Sequence, residues 1–277
     1  MSTGVDITQE LGAFLRTRRE RLTPGDVGLP EHRRARRTPG LRREEVAELA
    51  SVSVDYVVRL EQGRGLRPSP EVLEALASAL RLSDDERLYL FDLAQQRPGN
   101  RRGKVEADGP LAQLVLDLSP LPAMLTNHRN DILAWNPEMV GLLHVDFDEL
   151  PDRHRNGMWL CLLHPAMRSF YLDREEVIRE GIADLRAAWA AHPEDNELAE
   201  LVEELRADSA EFDDLWAQRD VQLRGRGHKR LLHPVAGRLT IQFEVLSSLQ
   251  VPDQRLVIYR AADEDSQSAL DVIVSSL

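Results

Sequence analysis

Between Ala50 and Gly65 the sequence reads ASVSVDYVVRLEQGRG, and its polar residues are of the kinds that read DNA. Arg59 can hold guanine O6 and N7 in a bidentate bond, Asp55 can accept from cytosine N4, and Tyr56 offers a hydroxyl or a contact with a thymine methyl. Ser53 and Val54 open the same segment. A serine cap there leaves neighbouring helix N-terminal amides facing outward, where a phosphate can be bound. Arg43 ahead of the segment, Arg36 and Arg37 in the basic run RRARRTPG, and Arg64 and Arg67 behind it are candidate backbone-phosphate contacts. The expected contact set is thus Arg36, Arg37, Arg43, Ser53, Val54, Asp55, Tyr56, Arg59, Arg64 and Arg67.

Catalytic chemistry finds little support. Cys161 and His164 stand three positions apart, but no third group is placed to orient the histidine, and WLCLLH reads as a buried, inert thiol. The eight histidines show no H-x-x-x-H pair, and one cysteine allows neither a disulfide within the chain nor a cysteine-based zinc site. Neither Gly225-Arg226-Gly227 nor the glycines from Gly99 to Gly103 form a phosphate loop. No cofactor, no metal and no enzyme activity are expected.

A second group of residues could line an apolar pocket. Trp135, Met139, Leu143, Trp159, Leu163, Met167, Phe170, Tyr171, Trp216 and Phe243 combine flexible Met with flat aromatics, which suit a small apolar molecule. For any one of them core packing is the simpler reading, and the pocket reading rests on the group. His164, Arg168, Arg230 and His233 are the candidates for a polar end that would meet a carboxylate.

The elements that must position these groups follow from periodicity. Ile7, Leu11, Leu15 and Leu22 recur at helical spacing, with Arg16, Arg18 and Arg19 off the stripe. Leu41–Ala50 reads as a second helix with Val46 and Leu49 inward, and Ser51-Val52 as a tight turn. Ser53 caps a third helix with the stripe Val54, Val57, Val58 and Leu60, stopped by Gly63 and Gly65. Ser69-Pro70 starts a fourth. Ser83 to Glu86 is a capping box opening a fifth, with Leu88, Leu90, Phe91 and Leu93 packing. Helix, tight turn and capped helix, with small Ala47 in the first, form the layout of a helix-turn-helix; spacing alone leaves a packing hairpin as the alternative.

Residues 97–110 carry three glycines and two prolines without periodicity and read as a linker. Beyond it the type changes. PAMLTNHRNDILAWNP reads as two short strands about a His128–Asp131 turn. Long helical patterns run from about Asp173 to Ala191 and from about Asn196 to Arg219. Strand-like pieces begin at His228, Gly237 and Gln254. Strands at both ends with helices between predict an α+β domain on an antiparallel sheet. The expected organisation is a five-helix all-α domain over 1–96, a linker over 97–110, an α+β domain over 111–262, and a tail over 263–277 that is a short helix or a frayed end.

Charge divides the same way. The 277 residues carry a formal net charge of −12, yet residues 1–104 hold 19 Lys and Arg against 16 Asp and Glu, a local +3 that leaves −15 on the rest. An acidic surface repels polyanions, so nucleic-acid contact is expected only in the first part. The N-terminus lacks an apolar signal segment, no apolar run approaches a membrane span, and the single cysteine fits a reducing cytosol; the protein is expected to be cytoplasmic and off the membrane.

LRREEVAELASVSVDYVVRLEQGR, with RTPG before it and GLRPSPEVLEALASALRLSDDERLYLFDLA after it, resembles the DNA-binding domain of the XRE-type helix-turn-helix regulators. It resembles more closely the MmyB-like transcription regulators, and LAWNP, the HPAMRSFYLDREEV region, HPEDNELAELVEEL, HKRLLHPVAGRLTIQFEVL and DQRLVIY extend the likeness over nearly the whole chain. The resemblance implies a PAS-like ligand-binding domain, a fatty acid or similar amphiphile as ligand, and control of a neighbouring gene. The sequence departs from the family at Ser51, where glycine is usual, at Val57-Val58, and at Arg219, where histidine is common. The expectation is a DNA-binding transcription regulator, homodimeric on its double-stranded operator, sensing an apolar ligand. The alternative is a constitutive DNA-binding protein whose second domain recruits a protein partner.

Overall fold

The computed structural model describes residues 7–30, 40–64, 67–94, 109–222 and 225–277. Arg36, Arg37, Gly65 and the linker residues 97–108 lie outside the described residues. By contact the chain divides into two compact units. The first comprises residues 1–99, 186–201 and 217–222; the second comprises 100–185, 202–216 and 223–277. Two segments distant in sequence from the five N-terminal helices are therefore part of their unit.

The first unit holds α1 (Ile7–Arg21), α2 (Arg43–Leu49), α3 (Val54–Glu61), α4 (Pro70–Ala79) and α5 (Asp84–Leu93). The caps are those the sequence announces. Ser53 Oγ accepts from the Tyr56 amide at 3.1 Å, Ser69 from Val72, and Ser83 and Glu86 form a reciprocal capping box. Leu11, Phe14, Leu15, Leu41, Val46, Val57, Leu60, Leu73, Leu76 and Leu90 close the core.

Arg18 and Arg19, off the apolar stripe of α1, are nonetheless buried, because each finds a carboxylate: Glu86 at 2.8 Å and Glu61 at 2.6 Å. Two expectations change here. Tyr89, not Leu88, packs inward from α5; Leu88 is exposed. Val54 is also exposed, since the first residue after the cap lies outside the contact stripe that Val57 and Leu60 carry.

The remaining elements are α6 (Pro110–Asp117), β1 (Ala123–Asn127), β2 (Ile132–Trp135), α7 (Pro137–Leu143), α8 (Gly157–Leu163), α9 (Arg174–Ala191), α10 (Asn196–Asp208), α11 (Ala210–Ala217), β3 (Arg226–His233), β4 (Gly237–Ser247), β5 (Gln254–Ala261) and α12 (Glu264–Val274). The long pattern after Asn196 is two helices: Ser209 breaks it and caps the second through the Phe212 amide at 3.1 Å. The tail is helical, capped by Asp263.

The five strands form one antiparallel sheet in the order β2-β1-β5-β4-β3. Alternation splits its side chains between two faces. One face meets Val115 of α6 through Ala123, Leu125 and Leu256. The other carries Leu231, Leu239, Ile241, Phe243, Val257 and Tyr259 against Met139, Leu142, Leu160, Met167, Phe170, Val177 and Leu270. Opposite Phe243 on β3 stands Gly227, where an added Cβ would lie 2.8 Å from the ring.

Candidate functional site

In the first unit α2 and α3 are joined by a turn at Ser51, whose φ is 54°. The turn is closed by the Val52 amide on the Ala47 carbonyl at 3.0 Å, with Ala47 itself buried. At the far end Gly63 adopts φ 62°, the Arg64 amide bonds the Arg59 carbonyl at 3.1 Å and the Gly63 amide bonds Leu60 at 3.0 Å. That pair of bonds is a Schellman motif, which satisfies the last carbonyls of α3. Behind α3 lies α1. A Cβ added at Gly12 would stand 2.6 Å from the Leu60 carbonyl oxygen, so only glycine lets the two backbones approach so closely.

Asp55 and Arg59 are exposed on α3, Val54 is 39% exposed, and Tyr56 is half-buried, with its hydroxyl pKa pushed up by burial. Arg64 and Arg67 are exposed beyond its end. Ser53 keeps its side chain on the Tyr56 amide. Arg43 is more constrained than a solvated phosphate contact. Its Nε donates to Glu61 Oε2 at 2.8 Å, beside Arg19, which donates to both carboxylate oxygens, and Arg16, which bonds the Glu61 carbonyl. One buried glutamate thus gathers three arginines beneath α3. Sequence reasoning missed it because Glu61 sits among polar residues at the end of the helix.

The second unit encloses a cavity of about 170 Å³ on the helix-covered side of the sheet. Of the residues expected to line it, Leu143, Met167, Tyr171 and Phe243 do. The other six have different places. Met139 and Phe170 are in the packed core, Trp135 tilts on Phe147 with ring centroids 5.1 Å apart, and Trp216 stacks on Phe212 at 5.4 Å. Trp159 stacks on His154 at 4.0 Å, and Leu163 is half-buried at the end of α8. The cavity wall is instead largely aliphatic and thioether, including Met124, Ile132, Val145, Met158, Leu160, Val177 and Val257.

Its polar residues also differ from those expected. Arg230 is paired with Asp173 through Nε at 2.7 Å, and Arg168 is exposed. His233 Nδ1 accepts from the Val235 and Ala236 amides at 3.2 and 3.0 Å, so Nε2 carries the proton and donates to the Gly141 carbonyl at 2.9 Å. Burial holds His164 below the ordinary histidine range, and among the described residues its Nδ1 has no hydrogen-bond partner.

Among the described residues two cations line the cavity, Lys229 and Arg255, and Arg255 is paired with Asp184. The Lys229 ammonium lies 5.1 Å from the Phe243 ring centre, 5.6 Å from Tyr171 and 5.7 Å from Tyr259. Burial works against its charge, but Tyr259 and Glu180 outweigh that, so its pKa stands above the ordinary lysine value. Lys229 is an ammonium at neutral pH held over three aromatic faces. The signal was in the strand parity: Gly227, Lys229 and Leu231 alternate with exposed His228, Arg230 and Leu232, so Lys229 shares the inward face. Cys161 also lines the cavity, half-buried, near the Tyr171 hydroxyl; burial pushes its thiol up, which keeps it protonated and unreactive. Gly157 and Gly181 also line the wall, Gly181 packed against Met158, and Asp184 pairs with Arg255 at 2.6 Å.

Among the described residues no helix is long and apolar enough to cross a membrane. Residues 108–272 match the family model of the MmyB-like transcription regulator ligand binding domain, and residues 10–90 match that of a helix-turn-helix domain. No curated protein matches the chain.

Proposed function

Because the chain belongs to the MmyB-like transcription regulators, a helix-turn-helix domain followed by a ligand-binding domain, we propose that it is a cytoplasmic, non-enzymatic regulator whose operator affinity is set by a single-chain amphiphile with an anionic head. The observation that carries the reading is Lys229: an ammonium over aromatic rings in a wall rich in Met, Leu and Val, where Arg255, the second cation, is taken by Asp184 and Glu180 is the remaining charge. Such a cavity suits an alkyl chain, and its cation suits a carboxylate, which is the chemistry of a fatty acid. A PAS-like description of the second domain is supported by its five-stranded antiparallel sheet.

In this reading Arg59, Asp55, Tyr56 and Val54 meet base edges in the major groove. The Ser53-capped helix start, Arg43, Arg64 and Arg67 meet phosphates, joined by Arg36 and Arg37. The chain acts as a homodimer, because an eight-residue helix reads too few base pairs for genomic specificity.

A chain-length series of fatty acids and matching alcohols tests the ligand class. Each added CH₂ contributes about 0.8 kcal/mol until the cavity is full, roughly fourfold in Kd. Dodecanoic acid should bind at least tenfold tighter than dodecanol, and Lys229→Met should abolish the difference. If no acid of any length raises the melting temperature and solvent extraction of the purified protein yields no lipid, the sensor reading fails and recruitment of a protein partner replaces it.

A further inference from the structure

Among the described residues the largest fully buried side chain is that of an arginine, Arg186, at 1% exposure. Its Nη1 donates to Glu10 Oε1 of α1 at 2.7 Å and lies 3.3 Å from the Tyr89 hydroxyl of α5. Tyr89 in turn donates to the same Glu10 oxygen at 3.1 Å, and Arg219 Nε reaches both Glu10 oxygens at 3.1 and 3.2 Å. The backbone around Arg219 is fastened as well. Its carbonyl accepts from Arg18, and its neighbour Asp220 accepts from Arg21. All of these groups belong to the first unit. By sequence, however, Arg186 and Arg219 fall within the ligand-binding match, whereas Glu10 and Tyr89 fall within the helix-turn-helix match.

The cluster is an unusual way to stabilise five helices that already close an apolar core. Replacing a buried ion pair by apolar groups is often neutral or stabilising, so its better-attested use is to specify one arrangement over another. Two further observations give that arrangement a consequence. Arg186 lies on α9, and the same uninterrupted helix lines the cavity two residues earlier through Asp184, and before that through Gly181, Glu180 and Val177. Glu10 lies two residues before Gly12, where the backbone of α1 rests on the carbonyls of Leu60 and Glu61 at the end of α3.

We infer that Glu10, Tyr89, Arg186 and Arg219 form a latch through which occupancy of the cavity is transmitted along α9 to α1 and so to α3. The inference rests on the ligand-sensing function proposed above and supplies its regulation. A ligand pressing on Gly181, where an added methyl would overlap the Met158 sulfur, displaces α9. Arg186 then moves against Glu10, and breaking this network changes how α1 rests on α3.

The test is a double-mutant cycle on the full chain, with a duplex selected by the intact protein from a random pool as operator. Gly181→Ala perturbs α9 from the cavity side without any ligand, and Glu10→Gln weakens the latch. Operator Kd should change at least fivefold with Gly181→Ala in the otherwise native chain, and less than twofold in the Glu10→Gln background. Dodecanoic acid should act in parallel, and amide exchange in residues 7–21 should respond to either perturbation. An equal response to Gly181→Ala in both backgrounds, or none in the native chain, overturns the latch. If Gly181→Ala acts through Glu10 but dodecanoic acid does not bind, the latch stands and the proposed ligand class falls. If dodecanoic acid binds through Lys229 and Glu10→Gln leaves its effect on Kd intact, the ligand class stands and the latch falls. Should Glu10→Gln fail to fold, Tyr89→Phe and Arg219→Ala, the latter at a side chain 27% exposed, carry the same comparison.

Discussion

Glu61→Gln removes one charge from beneath α3 while keeping the shape of the side chain. The carboxylate is 2% exposed and binds Arg19 Nε at 2.6 Å, Arg19 Nη2 at 3.3 Å and Arg43 Nε at 2.8 Å. Arg19 is 7% exposed, so the substitution leaves a buried guanidinium with only the more exposed Glu20, 3.4 Å away, as counter-charge; losing the buried partner costs up to about 3–5 kcal/mol. Glutamine still offers one acceptor oxygen, and the retained hydrogen bond offsets about 1–1.5 kcal/mol of that. Arg43 and Arg16 are 39% and 46% exposed; water takes over their solvation, and each contributes under about 1 kcal/mol. The net cost is about 1.5–4 kcal/mol to the first unit. Native-state amide exchange in the full chain reads this unit directly. Amides of α1 and α3 should exchange about 10- to 900-fold faster in Glu61→Gln and less than about fivefold faster in Arg43→Ala. Acceleration below fivefold in Glu61→Gln would refute the reasoning, because it would mean that Arg19 is not held by this carboxylate.

Two further outcomes follow from the same geometry. Arg59→Ala should cost about 1–3 kcal/mol on the cognate duplex and relax preference at one base pair, whereas Arg43→Ala should weaken all duplexes alike; equal losses on cognate and scrambled duplexes would make Arg59 a phosphate contact only. Burial, with His144 nearby, holds His233 below its ordinary value of 6.5. The unfolded chain therefore takes up its proton first, and the stability owed to neutral His233 is full above about pH 6.5 and lost as the pH falls through the folded pKa. The fall in melting temperature of the second unit between pH 7.5 and 5 should be smaller in His233→Gln than in the native chain, and an unchanged fall would show that Nδ1 is not the group whose protonation breaks the Val235 and Ala236 bonds.

The parts legible from sequence are those written in local chemistry. Serines at positions 53, 69 and 83 each mark a helix start, because a cap is a short-range bond between a side chain and an amide three residues on. The period-two pattern of β4 likewise announces its full span, Gly237–Ser247. The site was less legible because it depends on which polar groups find partners far away in sequence. Arg18 and Arg19 lie off the apolar stripe of α1, and their burial is decided by Glu86 and Glu61, 68 and 42 positions on. Arg230 and Lys229 are adjacent, and parity alone sends one to Asp173 and the other into the cavity. Tryptophans drew attention as pocket candidates for their flat rings, yet Trp159 and Trp216 stack on a neighbouring ring and Trp135 tilts on Phe147.

Ser51 and Arg219 share a physical feature. Both adopt left-handed backbone, with φ 54° and 57°, which costs an L-residue about 1 kcal/mol relative to glycine. At Arg219 the cost has a visible counterpart: the side chain reaches Glu10 and the carbonyl accepts from Arg18, so the conformation is held from both ends. At Ser51 the side chain is exposed, and the turn is held by its neighbours: Ser51 N on Glu48 O at 3.2 Å, Val52 N on Ala47 O at 3.0 Å, and the burial of Ala47 between the helices. The angle between α2 and α3 is therefore set by small-residue packing and two backbone bonds, and the residue at the turn only has to tolerate it. A serine does so at modest cost, while a β-branched residue at position 51, with its stiffer Cβ in the left-handed region, would strain the turn and move α3.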